Sequence, residues 1–543
     1  MTAILLAAAL LFTSEIPFVI DGVAAPGAAV RITIGETSIE TAADAGGIWR
    51  AEWTAPLATG TYGVEINAAG EVTTRLLRVQ LRGRLPRKPN VEAESLLHDG
   101  KFIDRGENVE LSDRWRIEPP PYELDEHPRA PRIGTRGATL DPYNRNLLKG
   151  DLPLRGNDLF LVLTGLSESR AEAREVGGMA SQSVVVSADL YRGNTTFQPA
   201  QQRVKITLGA NLRRVETEED GTTGGRFSLQ ELFYEQKLAD LTPSYDFLSV
   251  RAGAQPFVSD FRGFLLAETA PGLRLFGNHA SNRYQYNVAL FDRLEKDPVS
   301  GLNRMERTGQ QVVVANFYWH DFLAAGYSQQ FTAAVLRQDR TVSYLGTSGS
   351  GHIGRINVDQ AAYLALGSSL RATMAAVELS YTRDWLRPRA GLLYASGDDD
   401  TLDGKARGFD SIFDAAAFAG GGFSFWSRNA IDGLKQRGSI FPSMRRSAEA
   451  NFVNPGLRLL SAGADAAVTP RLKAQATVNY LQFDTGGSAG LDLSLGVRYR
   501  PFLSNNAVIV AGAAVLSPGN ALETLLGDGS TLYHLFTGVV LQF

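Results

Sequence analysis

The chain has 543 residues, with 54 Lys and Arg against 58 Asp and Glu, and no Cys. Charge this close to balance gives nucleic acid no footprint, and the missing thiols exclude disulfides, Cys-held zinc and thiol catalysis. Mean hydropathy is -0.11 and no apolar run of about 18 residues occurs, which excludes helical membrane spans but not a barrel, whose strands alternate apolar and polar residues.

Residues 1–14 contain an apolar stretch from Ala3 to Phe12. It has the length of a secretory h-region, without a basic n-region or a clean small-residue cleavage site. A signal segment is the expectation, and a buried N-terminal strand is the alternative. Residues 15–82 read as a compact all-β module, with short strands such as Val30 to Ile34 and Tyr62 to Ile66 between Gly, Pro, Asp and Ala turns. Residues 83–150 are rich in Pro and charge, as in Leu85-Pro86-Arg87-Lys88-Pro89 and Glu118-Pro119-Pro120-Pro121-Tyr122. They show little periodicity and read as an extended linker or a partial plug.

From 151 to 543, strands of period two recur. Val204, Ile206, Leu208, Ala210 and Leu212 oppose Lys205, Thr207, Gly209, Asn211 and Arg213. Tyr284, Tyr286, Val288 and Leu290 oppose Arg283, Gln285 and Asn287. Leu491, Leu493, Leu495, Val497 and Tyr499 oppose Asp492, Ser494, Gly496 and Arg498. Each segment has one apolar and one polar side. A soluble sandwich would alternate in the same way. Three features favour the membrane: segments long enough to cross a bilayer, aromatics such as Tyr191, Tyr284, Tyr286, Tyr480 and Tyr499 near strand ends, and a last strand with Tyr533, Leu535, Thr537, Val539, Leu541 and Phe543 in register. The fold expected is all-β: a closed antiparallel transmembrane barrel of 16 or 18 strands behind an N-terminal β-sandwich. Both ends of an even barrel lie on one side, so the front module is expected in the periplasm of a bacterial cell whose outer membrane holds the barrel.

Four resemblances add to this reading. Asp21 to Val30, Asp44-Ala45-Gly46-Gly47-Ile48-Trp49 and Leu57 to Tyr62 resemble bacterial Ig-like repeats. That resemblance implies that Trp49 plugs a sandwich core and that Gly60-Thr61-Tyr62 starts the last strands. Tyr394 to Asp400, Asp403-Gly404-Lys405 and Gly408 to Phe413 resemble the signature loop of alginate-export-type outer-membrane proteins, with Asn454 to Arg458, Tyr499 to Phe502 and Ser517 to Leu522 in agreement. This implies an 18-stranded barrel with an Arg-rich lumen for an anionic polysaccharide. The final Phe543 resembles the signal read by the barrel assembly machinery. Val250 to Phe264 and Asp141 to Asp151 resemble a further set of bacterial outer-membrane proteins.

Roughly 30 Arg stand against about half a dozen Lys from residue 151 onward. Arg213, Arg251, Arg274, Arg283, Arg383, Arg389, Arg458 and Arg498 are read as lumenal, because guanidinium groups bind carboxylates bidentately and stay charged. The alternative is a structural ladder in which Arg pairs with residues such as Asp465 and Asp492. Asp398, Asp400 and Asp403 offer oxygens for a weak Ca²⁺ site, or else a solvated loop. No cofactor is implied. Six isolated His, with no P-loop and no HExxH, give an enzyme no support. The expected function is a porin-like channel for uptake or export of anionic or polysaccharide-type solutes. The alternative is a non-conducting anchor in the lipid, whose Ig-like domain binds a periplasmic protein.

Overall fold

The computed structural model describes residues 11–13, 18–55, 57, 60–79, 146–156, 158–175, 177–193, 199–216, 221–298, 300–428, 440–445, 449–527 and 529–543. The chain divides into two compact units.

In the N-terminal unit a five-stranded sheet runs in the order Leu11–Thr13, Glu71–Val79, Gly60–Ala68, Ala29–Ile34 and Thr37–Ala42, and a two-stranded sheet pairs Phe18–Val23 with Ile48–Trp53. Alternation decides which face is covered: Val30, Ile32 and Ile34 are buried while Arg31 and Gly35 are exposed. Trp49, Ala51 and Trp53 from the smaller sheet join Ile20, Val64, Ile66 and Leu77 in one core. Trp53 brings its own satisfied donor, since its indole N–H bonds the Ala55 carbonyl at 3.1 Å. Of residues 1–14, only Leu11–Thr13 are described. They form a strand parallel to Leu77–Val79. The linker or plug expected at 83–150 lies outside the described residues up to 145.

The second unit is a closed barrel of 18 antiparallel strands, from Leu159–Arg174 to Leu532–Gln542. The seam closes in register, Leu535 against Ala173 and Leu541 against Ser167. Phe543 extends it, its N–H bonding the Gly165 carbonyl at 2.8 Å and its carbonyl accepting from the Gly165 N–H at 3.1 Å. Closure leaves no strand edge unpaired, the condition for a sheet to survive in hydrocarbon.

The apolar faces point outward. Leu212 is 66% exposed and Leu493 46%, while Asn211 and Asp492 beside them are buried. Nothing among the described residues covers these side chains, so lipid tails are the medium that can. Aromatics mark both ends of the wall. Tyr284 stacks on Phe317 at 5.7 Å and meets Trp319 edge-on near one rim, and Tyr394, Tyr480 and Tyr533 are exposed near the other. Tyr191 departs from the expected girdle: it shares the inward face with Asp189 and stacks on Phe160 at 5.3 Å.

An even strand count puts the start of the first strand and the end of the last on one rim, called here the terminal rim. Its connections are short, such as 280–283, 354–355 and 382–385. The opposite loop rim carries 259–266, 519–531 and the long segment 396–456. That segment leaves and re-enters the wall through two touching glycines. A Cβ on Gly456, whose φ is +66°, would lie 2.4 Å from the Gly397 nitrogen, and one on Gly397 would lie 2.3 Å from the Pro455 carbonyl oxygen. Only glycine fits this neck.

Candidate functional site: the barrel lumen

The lumen is filled on one side by two loops that fold inward, and polar side chains of the wall hold them. In 259–266, the Asp260 carboxylate accepts the N–H groups of Arg262, Phe264 and Leu265, each at 3.0 Å. The Tyr363 hydroxyl donates to the same carboxylate at 3.0 Å. The Ser259 carbonyl accepts from Asn316 at 2.6 Å and from Gln330 and Thr332. Arg262 then reaches Asp359 and Glu378 on the wall, 3.1 Å from Glu378, and donates to the Ala417 carbonyl at 2.7 Å. Buried backbone groups must be paired, and this accounts for Asn, Gln, Thr, Asp and Glu on the inward faces of these strands.

The long segment lies against that first loop. Leu266 bridges Phe413 in parallel, and the Ser411 hydroxyl bonds the carbonyls of Phe264 and Leu265. Tyr344 from the wall donates to the Asp410 carbonyl at 2.9 Å. Asp492 accepts the N–H groups of Phe425 and Trp426 at 3.3 Å and the Asn479 amide at 3.2 Å. Phe264, Phe409, Phe418, Phe425, Trp426 and Phe441 are buried with inward wall residues such as Val312, Leu393 and Leu459 in one core. At this height the inside of the barrel is apolar, against the simple alternation rule.

Elsewhere the wall is charged and biased towards cations. Arg170 and Arg174 both lie 3.0 Å from Glu172. Arg213 and Arg226 share Asp297 at 2.9 and 3.5 Å. Arg293 and Lys296 share Glu268 at 2.6 and 3.5 Å, but this cluster is buried against Phe413 of the long segment. Arg203 pairs with Asp189, Lys205 with Glu231 at 2.6 Å, and Arg251 with Glu235 at 2.5 Å. Arg274, directly opposite Arg251 across the strands, stands over Phe276 at 4.7 Å and Phe257 at 5.4 Å. Among the described residues it has no carboxylate partner. Carboxylates shared by two cations, and one cation with none, leave surplus positive charge on this wall.

Five of the eight Arg residues expected in the lumen face it: Arg213, Arg251, Arg274, Arg389 and Arg498. Arg389 also has the expected ladder partner, Asp465, at 3.4 Å, and it lies 3.7 Å from Glu378. Three are corrected. Arg283 and Arg383 sit exposed in turns of the terminal rim, beyond the ends of their strands. Arg458 points outward in one row with Tyr394 and pairs with Asp484 at 2.6 Å. Asp492 is no ladder partner either, since it caps backbone N–H groups. Arg170, Arg174, Arg203, Arg226 and Arg262 belong to the lumen and escaped the sequence reading, although the first four sit on period-two strands that could have been counted.

The Ca²⁺ reading is also corrected, because a cation is already there. Arg407 lies 3.6 Å from Asp398, 3.4 Å from Asp399 and 2.6 Å from Asp403. Among the described residues no group of three potential metal ligands occurs. The hydrogen bond from Arg407 holds the Asp403 carboxyl below its ordinary value. A depressed folded value makes the pair's contribution complete above the unfolded value, about 3.9, and lost as pH falls through the folded one. Proteolysis near Leu402 is expected to be steady from neutral pH to mild acid, to rise only in strong acid, and to ignore added Ca²⁺. Fragment mapping across that range, with an acid-tolerant protease, checks it.

No known family profile matches the chain, and no curated protein matches it, so the alginate-export and Ig-like resemblances rest on the quoted residues alone. Solved structures similar to the chain include OprD of Pseudomonas aeruginosa, 13% identical over 70% of this chain and 95% of that one, TM-score 0.46. OpdK of the same organism, solved with vanillate, is 10% identical over 70% and 98%, TM-score 0.47. OccAB1 of Acinetobacter baumannii is 9% identical over 71% and 97%, TM-score 0.44.

Proposed function

We propose that the chain is a bacterial outer-membrane channel that passes small anionic solutes along the cation-rich side of its lumen. The observation that carries this is the pairing of two basic side chains with one carboxylate at Glu172 and at Asp297, together with the uncompensated Arg274. Surplus guanidinium at several weak sites attracts anions without trapping them, as conduction requires. The closed wall and its apolar exterior support the membrane setting.

The loops folded into the other side favour small solutes over a polymer chain. In this reading the loop rim faces the cell exterior and the terminal rim faces the periplasm. The N-terminal module is then an Ig-like periplasmic domain, a reading supported by its two sheets around the buried Trp49. Planar-bilayer recording tests the channel. Discrete conductance with a reversal potential favouring anions is expected, and a silent barrel that still shows heat-modifiable gel mobility overturns it.

A further inference from the structure

Just below the loop rim, the outer wall carries a groove. The strands Leu370–Tyr381, Leu386–Ala395, Leu457–Ala467 and Leu472–Phe483 lie side by side there. Their register sets Ala375, Tyr394, Arg458 and Gln482 in one row and Val377, Leu392, Leu460 and Tyr480 in the next. These residues line an outward-open groove of about 450 Å³. In the following row two small side chains, Ala390 and Ala462, lie between Leu379 and Val478. From Arg458 to Ala464 the strand covers roughly 20 Å, a length that accommodates an acyl chain.

The head of the groove is charged. Arg458 is 53% exposed in its side chain and uses Nε and Nη2 on Asp484, at 2.7 and 2.6 Å. Its Nη1 has no partner among the described residues. Arg371, on the same outer face nearer the rim, is exposed and has no ion-pair partner among the described residues. A guanidinium on a lipid-facing wall is costly within hydrocarbon and favourable at headgroup level, where it meets phosphate. Tyr394 and Tyr480 flank it as interfacial anchors do.

We propose that this groove holds one phosphorylated lipid of the outer leaflet, with an acyl chain in the trough and the phosphate on Arg458. The proposal rests on the reading that the barrel spans an outer membrane with its loop rim outward. The full chain, purified in mild detergent and titrated with diphosphoryl lipid A, is expected to retain about one lipid per barrel by native mass spectrometry, and to retain a phosphate-free glycolipid several-fold less. Arg458→Gln is expected to lower lipid A retention several-fold with conductance and gel mobility unchanged. Ala375→Leu, which fills the groove without touching the charge, is expected to lower it as well. Equal retention by wild type and Arg458→Gln, or equal retention of the two lipids, overturns the proposal. Loss of conductance in wild type bears on the channel reading and leaves the lipid count standing.

Discussion

Replacing Arg262 with Gln is expected to give a channel of larger and noisier conductance, by roughly twofold or more. Asp359 and Glu378 are direct cross-strand partners on the inward wall, and Arg262 lies against both, mostly buried at 19% exposure. Two like charges so placed repel. Removing the cation between buried carboxylates costs on the order of 3 kcal/mol. Arg389, 3.7 Å from Glu378, offsets only part of this. The strain falls on the inner loops, because Arg262 also donates to the Ala417 carbonyl and so ties one loop to the other. The wall has its own ladder and should survive, so heat-modifiable mobility is retained while proteolysis at the loop rim increases. Wild-type conductance and an unchanged cleavage pattern would show that the apolar core around Trp426 holds the loops unaided.

The second large effect is expected at Arg274. Arg274→Glu puts a carboxylate opposite Arg251, which Glu235 already neutralises. The local charge then swings by two units, from surplus positive to surplus negative. Reversal potentials under a salt gradient should show the anion preference falling several-fold, with Arg274→Lys staying near wild type because it keeps the charge. An unchanged preference in Arg274→Glu would place the selective stretch elsewhere in the lumen.

The sequence displays the exterior of this barrel well and its interior poorly, and the reason is solvent. Lipid contact demands apolar side chains at every second position all round the wall, so Val204 to Leu212, Tyr284 to Leu290 and Leu491 to Tyr499 could be assigned to a face without any neighbour being known. The inner face obeys no single solvent. Near the loop rim it meets Phe409, Phe418 and Trp426, which turns Leu457 and Leu459 inward. Alternation read through those two leucines then assigns Arg458 to the wrong side. Arg283 and Arg383 fail for a different reason, since counting by twos ran past the last ladder residue into a turn. Asp492 was hidden because its partners are backbone N–H groups of a distant loop, and no spacing rule reaches across 60 or more residues to name them. The acidic run at 398–403 left a Ca²⁺ site and a solvated loop both open in the sequence, and Arg407, four residues on from Asp403, supplies the positive charge itself.

The glycine neck at 397 and 456 makes the long segment an insertion whose two ends leave the wall at one place. Ala395 and Leu457 are already facing partners across the ladder, so a tight turn could join them with every strand keeping its register. The register of the wall therefore does not require the segment, whereas the inward wall residues that hold it, among them Tyr344, Asn479 and Asp492, would have to be rewritten along with it.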